Sequence, residues 1–235
     1  MTLANRASEL CEKVCRANIE LAKSGLVTGT FGNLSASDRS ERIFAIKPSG
    51  VPYDQLTPDH MVVISVESGE VVGGQLRPSS DTPTHLELYR AFECGAIVHT
   101  HSEYATMFAQ VRRSICCMGT THADYFHGDV PVTRPLTQAE VEHEYEKHTG
   151  LVIVETFRSA GLSPAEIPAV LVANHAPFVW GSDATHAIEH AHMLELVARM
   201  EWRARVIAAD APRPDRFLID KHYSRKHGPG KTYGQ

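Results

Sequence analysis

The stretch MVVISVESGEVVGG, residues 61–74, carries two apolar runs around Ser68-Gly69. That pattern reads as two strands joined in a hairpin. The segments on either side have a different period. Leu3, Leu10, Val14, Ala17 and Leu21 recur at helical spacing and Gly25 suits a C-cap, so residues 3–24 are expected to form an amphipathic helix. RIFAIKPSG and AIVHTH read as strands, SICCMGT as another strand, and DTPTHLELYRAFE and SEYATMFAQV as helices. Thr137-Gln138-Ala139-Glu140 fits a capping box opening a helix through about His148. GLVIVETFRSAG suits strand or helix equally, and PAVLVANHAPFVWG reads as a buried strand followed by a loop. Asp183 is placed to cap a long helix to about Ala209, and PDRFLIDKHYSRKHG reads as a last helix. No repeat or linker interrupts the 235 residues, so helices alternating irregularly with hairpins predict one mixed α/β domain over 1–235.

Charge and cysteine usage narrow the function classes. The net charge of −5 gives no basic field for nucleic acid. There is no run of about 18 apolar residues for a membrane span, and the N-terminus lacks a basic segment followed by an apolar core. Five cysteines without a CxxC pair suggest reduced thiols and a cytoplasmic location.

Histidines carry the chemistry. In AIVHTHS, His99 and His101 stand two residues apart at the end of a strand, so they share a face about 6.6 Å apart. Such a pair is half of a metal site, and His175 in VLVANHAPF offers a third ligand. His186-Ala187-Ile188-Glu189-His190 matches a rival zinc pattern, H-x-x-E-H, on an otherwise ordinary packing helix. Three polar segments, Gly32-Asn33, Ser49-Gly50 and Ser79-Ser80, can ring an anion with backbone N–H groups and hydroxyls. Asp81 follows the last of them. With no P-loop present, a small phosphorylated molecule is favoured over a nucleotide.

GTFGNLSA, IKPSGVPYDQLTPDHMVVIS, PSSDTPTHLELYRAF, IVHTHSEYAT, GTTHADYF, VIVETF, HAPFVWG and DKHYSRKHG…YGQ occur in one order. From about Leu26 to Gln235 the chain thereby resembles the class II aldolase/adducin family, and within it the L-ribulose-5-phosphate 4-epimerases most closely. The resemblance implies a central, mainly antiparallel sheet flanked by helices on both faces, and C4 tetramers with active sites between subunits. It implies Zn(2+), replaceable by manganese or cobalt, held by His99, His101 and His175, with Asp81 at the carboxylate position near the metal. Gly32, Asn33, Ser49, Gly50, Ser79 and Ser80 fall at the family's substrate-phosphate positions. Asp124 and Tyr233 match the acid/base pair of the epimerases, and His222 a further active-site histidine. The implied reaction breaks and re-forms the C3–C4 bond of a ketopentose phosphate, converting L-ribulose 5-phosphate to D-xylulose 5-phosphate.

Two departures stand out: Phe31 replaces a common tryptophan, and Asn174-His175-Ala176 varies around the third histidine. An aldolase acting on L-fuculose 1-phosphate is the nearest alternative, distinguished by a glutamate in place of Asp81. An adducin-like scaffold without catalysis would be expected to have lost metal ligands.

Overall fold

The computed structural model describes residues 3–228 and 231–232. Its helices are α1 (Leu3–Lys23), α2 (Thr82–Ala91), α3 (Glu103–Gln110), α4 (Thr120–Ala123), α5 (Gln138–Glu142), α6 (Tyr145–Ala160), α7 (Ala184–Ile207) and α8 (Arg216–His227). The strands are β1 (Asn33–Asp38), β2 (Ile43–Ile46), β3 (Val62–Ser65), β4 (Val71–Gly73), β5 (Ala96–His99), β6 (Ala169–Leu171) and β7 (Pro177–Gly181). They form one sheet in the order β4-β3-β2-β1-β5-β7-β6, with every neighbouring pair antiparallel.

Both faces of this sheet are covered, which is why its strands read as short continuous apolar runs. Alternate residues divide between the two faces. Ile43, Ala45 and Val63 join the core under α1, whereas Phe44, Ile46, Val62 and Ile64 pack against Leu86 and Tyr89 of α2. Helix α7 shares the α1 face, lying over β5 and β7. On the other face Phe157 of α6 meets Trp180 of β7 at 5.3 Å between ring centroids. Helices α2 and α6 approach closely at Gly150, where a Cβ would stand 2.8 Å from Glu87 Cβ and 3.0 Å from the Thr84 carbonyl oxygen. No described helix is long and apolar enough to cross a membrane.

Several elements differ from the sequence expectations. NLSASD, for which no strand was expected, is β1 and lies between β2 and β5. SICCMGT is not a strand. It makes one isolated bridge, Ile115 to Val130, because the next two amides donate to carboxylates, Cys116 to Glu201 and Cys117 to Asp129. The helix opened by the Thr137 capping box stops at Glu142; Glu144 adopts a left-handed conformation at φ 52° before α6 begins. GLVIVETFRSAG is helical, and the expected loop after PAVLV contains β7, which pairs back on β6. The hairpin, the first helix, α2, α3 and the Asp183 cap stand where expected, Asp183 accepting from the His186 amide at 2.9 Å.

Candidate metal centre

Sheet register aligns the start of β1, the end of β5 and the start of β7: Asn33 pairs with His99, and His99 with Phe178. Gly32 permits this junction. At φ +81°, its absent Cβ would lie 2.8 Å from the His99 carbonyl oxygen, a contact with main chain that cannot yield cheaply.

His99 is buried and rigidly held. Its ring stacks on Phe178 at 4.2 Å, and Nδ1 donates to the Pro177 carbonyl at 2.9 Å. A carbonyl only accepts, so the proton sits on Nδ1 and Nε2 presents a bare lone pair. That nitrogen lies 3.1 Å from His101 Nε2, beyond the strand end. His175, from the turn between β6 and β7, completes a triangle with ring centroids 4.9 Å from His99 and 5.1 Å from His101. The three ligand atoms lie within 4.8 Å of one another and form the group that could hold a metal ion among the described residues. Burial lowers all three pKa values, His99 to about 3 and His175 to about 4. Three neutral imidazoles with converging nitrogens are a donor set suited to zinc, with room left for substrate oxygens.

Two of the polar segments, those of Asn33 and Ser79, meet beside this centre, and the third pairs with the loop that carries Ser79. Pro48 and Pro78 form a bridge, with Ser49 N donating to Arg77 O and Ser79 N to Lys47 O, both at 3.0 Å. The KPSG and RPSSD loops thus run antiparallel, with Ser49 opposite Arg77 and Lys47 opposite Ser79, so this pairing does not bring Ser49-Gly50 against Ser79-Ser80. Asn33 Nδ2 donates to Ser79 Oγ at 3.1 Å and to Asp81 Oδ2 at 2.6 Å. Its Oδ1 is buried without a hydrogen-bond partner. Asp81 precedes α2 but does not cap it through its side chain, because Asn33 holds the carboxylate. Its charge reaches His101 and His175 and opposes the effect of their burial, yet its oxygens are not part of the three-histidine group.

Lys47 was not singled out by sequence reasoning. It is 2% exposed, donates from Nζ to Pro48 O at 3.2 Å, and lies 4.8 Å from the centroid of the Tyr53 ring. Burial lowers its pKa. The available signal was a lysine directly ahead of a Ser-Gly turn. Its buried charge sits on the loop whose backbone pairs with Ser79.

Asp124 and His222 belong to a second cluster. Asp124 follows α4, and its side-chain and main-chain partners include three residues of α8. His222 Nδ1 lies 3.0 Å from Oδ1, Arg225 Nη2 donates to both carboxylate oxygens at 3.3 Å, and His227 Nε2 donates to the main-chain carbonyl at 2.8 Å. The structure therefore joins Asp124 to His222 but not to the histidine triangle. Tyr233 lies outside the described residues.

The H-x-x-E-H residues form no metal-capable group among the described residues. His186 Nδ1 is 2.7 Å from Asp183 Oδ2, His190 Nδ1 donates to Trp180 O at 2.8 Å, and Glu189 accepts from the Tyr125 hydroxyl at 2.6 Å.

Known proteins share this architecture. An L-fuculose 1-phosphate aldolase superposes with a TM-score of 0.77 at 24% identity, covering 92% of this chain and 95% of its own. The L-fuculose 1-phosphate aldolase from Glaciozyma antarctica PI12 gives 0.72 at 18% identity, with coverage of 95% and 84%. YgbL from Klebsiella pneumoniae, a proposed aldolase/epimerase/decarboxylase, gives 0.72 at 25% identity, with coverage of 92% and 98%. The family model for the Class II Aldolase and Adducin N-terminal domain matches residues 12–202, most of the chain. With the sheet, the histidine triangle and that match in agreement, the chain belongs to the class II aldolase and adducin family.

Proposed function

We propose that this protein is a metal-dependent L-ribulose-5-phosphate 4-epimerase, formed by residues 1–235 as one domain and working in the cytoplasm. The observation that carries the reading is the junction of three neutral histidines with the Asn33–Ser79–Asp81 network. A divalent metal such as zinc, when bound by His99, His101 and His175, supplies Lewis acidity toward a ketose carbonyl. The protein's own groups do the rest. Asn33, Ser79, Ser80 and the Ser49-Gly50 turn bind the phosphate, and the buried Lys47 charge offsets it. Anchoring the phosphate keeps the aldehyde fragment in place while it turns, so re-addition stays effectively unimolecular.

Asp81 supports an epimerase over an aldolase. It is a short carboxylate held at 2.6 Å by Asn33, which suits orientation near the metal better than carrying a proton to and from carbon. Inversion needs proton transfer at the C4 oxygen from either side of the reacting plane. Asp124, oriented by His222, and Tyr233 fill those two roles. In this reading the complete site takes these groups from a second copy, in a homotetramer with sites between subunits; the bonding of Asp124 to α8 and not to the triangle supports it. The five free cysteines suit a reducing compartment, and the net charge of −5 suits a small-molecule substrate over nucleic acid.

Incubation of the zinc-loaded protein with L-ribulose 5-phosphate, coupled to detection of D-xylulose 5-phosphate, tests this reading. The expected result is stoichiometric conversion to the D-pentulose. Rapid cleavage of L-fuculose 1-phosphate with no pentulose formed would replace it by the second reading, a ketose-phosphate aldolase, which the L-fuculose 1-phosphate aldolase neighbours favour.

A further inference from the structure

His99 is fixed by a strand, a stacked ring and a carbonyl, whereas His175 sits in a turn and its ring has weaker support. Its Nδ1 lies 3.5 Å from the Tyr145 hydroxyl, at the limit of a hydrogen bond. Its placement depends on the residue before it. Asn174 adopts φ 62°, a left-handed conformation that asparagine tolerates better than most side chains. All three of its hydrogen bonds lead to the C-terminal end of α3. Its main-chain N–H donates to Ala109 O at 2.9 Å, Nδ2 donates to Gln110 O at 3.2 Å, and Oδ1 accepts from Arg112 Nε at 2.7 Å.

The last carbonyls of a helix have no partner within it, and Asn174 gives Gln110 O a donor and joins the Arg112 amide on Ala109 O. Arg112 is itself left-handed, at φ 54°. Two of the four described non-glycine residues with positive φ are therefore hydrogen-bonded to each other, immediately beside a candidate metal ligand. Strain held in this way persists only where its surroundings fix it.

The other end of α3 has the matching arrangement. The helix starts at Glu103, two residues after His101, and the amides of Tyr104 and Ala105 donate to the Glu195 carboxylate at 2.9 and 3.0 Å. Eight helical residues span about 12 Å. One short helix is thus anchored by α7 next to His101 and clamped by Asn174 next to His175.

We infer that α3 is the strut that sets the distance between the strand-borne histidines and His175, and that Asn174, with Arg112, is the positioning latch holding the third ligand in place. The inference rests on the reading of the triangle as a metal centre. It assigns Asn174 a part in metal affinity, although its side chain points to the helix and not to the ion.

The test is zinc affinity of the metal-free full-length protein, measured by competition with a fluorescent chelator, together with its thermal midpoint. Asn174→Ala loses the side-chain bonds and the tolerance for positive φ, and is expected to weaken zinc binding about 10- to 100-fold, the usual range for groups that support a ligand. Asn174→Gly keeps the backbone freedom and is expected to recover part of that loss. Arg112→Ala is expected to weaken zinc a few-fold. A folded Asn174→Ala protein that binds zinc as tightly as the parent, even with a lowered thermal midpoint, would show a structural role only and overturn the latch. If the parent and His99→Asn bind zinc equally poorly, the metal centre itself fails and the latch falls with it.

Discussion

Two clusters of ionisable side chains, the histidine triangle and the Asp124 group, are held in opposite ways. The triangle is set by sheet register, and its imidazoles are neutral, with nitrogens turned toward one another. Asp124 sits between a four-residue helix and α8, its carboxylate engaged by His222 and Arg225. The first is a set of donors that a divalent metal would fit. The second is a carboxylate already paired with an imidazole and a guanidinium. On the proposed function, metal binding falls to one cluster and proton transfer to the other, and separate substitutions should separate them.

The largest expected effect tests that division directly. His99→Asn removes the best-oriented ligand and is expected to weaken zinc binding by more than about 100-fold and to abolish turnover. Asp124→Asn is expected to leave zinc stoichiometry unchanged while lowering turnover by about 100- to 10,000-fold, the range for a lost acid or base. Metal analysis alongside initial rates distinguishes the two. Loss of zinc in Asp124→Asn would merge the clusters into one.

Acid should act on the triangle before any ligand is involved. His99 and His175 are held at about 3 and about 4 in the fold, against about 6.5 for a free imidazole. The unfolded chain therefore binds protons more readily, so stability is full above about pH 6.5 and falls as pH drops toward those folded values. His85, also buried and at about 3, adds to the same slope. Each pH unit below 6.5 costs up to about 1.4 kcal/mol per such group, with relaxation of the site reducing it. Denaturant titrations of the metal-free protein at pH 7 and pH 5 measure this. Equal stabilities would mean that the imidazoles are not held neutral by burial.

The two clusters were unequally legible. His99 and His101 show at two-residue spacing on a recognisable strand, and His175 shows just past a second apolar run in VLVANHAPF. The strand that aligns them was hidden. In NLSASD only Leu34 and Ala36 are apolar, because Ser35 on the buried α2 face satisfies His85 and Tyr89 at 2.7 and 2.8 Å. The reverse error occurred at SICCMGT, where an apolar run suggested pairing but Glu201, 85 positions away, takes the Cys116 amide. Neither periodicity nor propensity reports such distant partners. For Asp124, sequence resemblance indicated a role while nothing local indicated Arg225.

A smaller effect isolates the alignment itself. Gly32→Ala places a methyl group against the His99 carbonyl and forces a positive φ on alanine. The cost is expected to be about 2 kcal/mol, read as a lowered urea midpoint, with zinc affinity falling as His99 moves. Zinc affinity unchanged beside a lowered midpoint would show that the ends of β1 and β5 yield without disturbing His99.

The smallest effect belongs to the motif that most imitates a metal site. His186 is 55% exposed at its side chain and engaged with Asp183, the residue that caps α7 through its other carboxylate oxygen. Removing an exposed pair of this kind costs little, because solvent already screens it. His186→Ala is expected to change stability by less than about 1 kcal/mol and to leave zinc content at the parental value. The cap survives, since the bond from the His186 main chain to Asp183 does not need the imidazole. A drop in zinc content in this variant would place a second ion on α7. Unchanged content beside the His99→Asn loss would assign the metal chemistry to the strand ends around β5, where neutral donors converge, and not to a helix whose histidines are already bonded elsewhere.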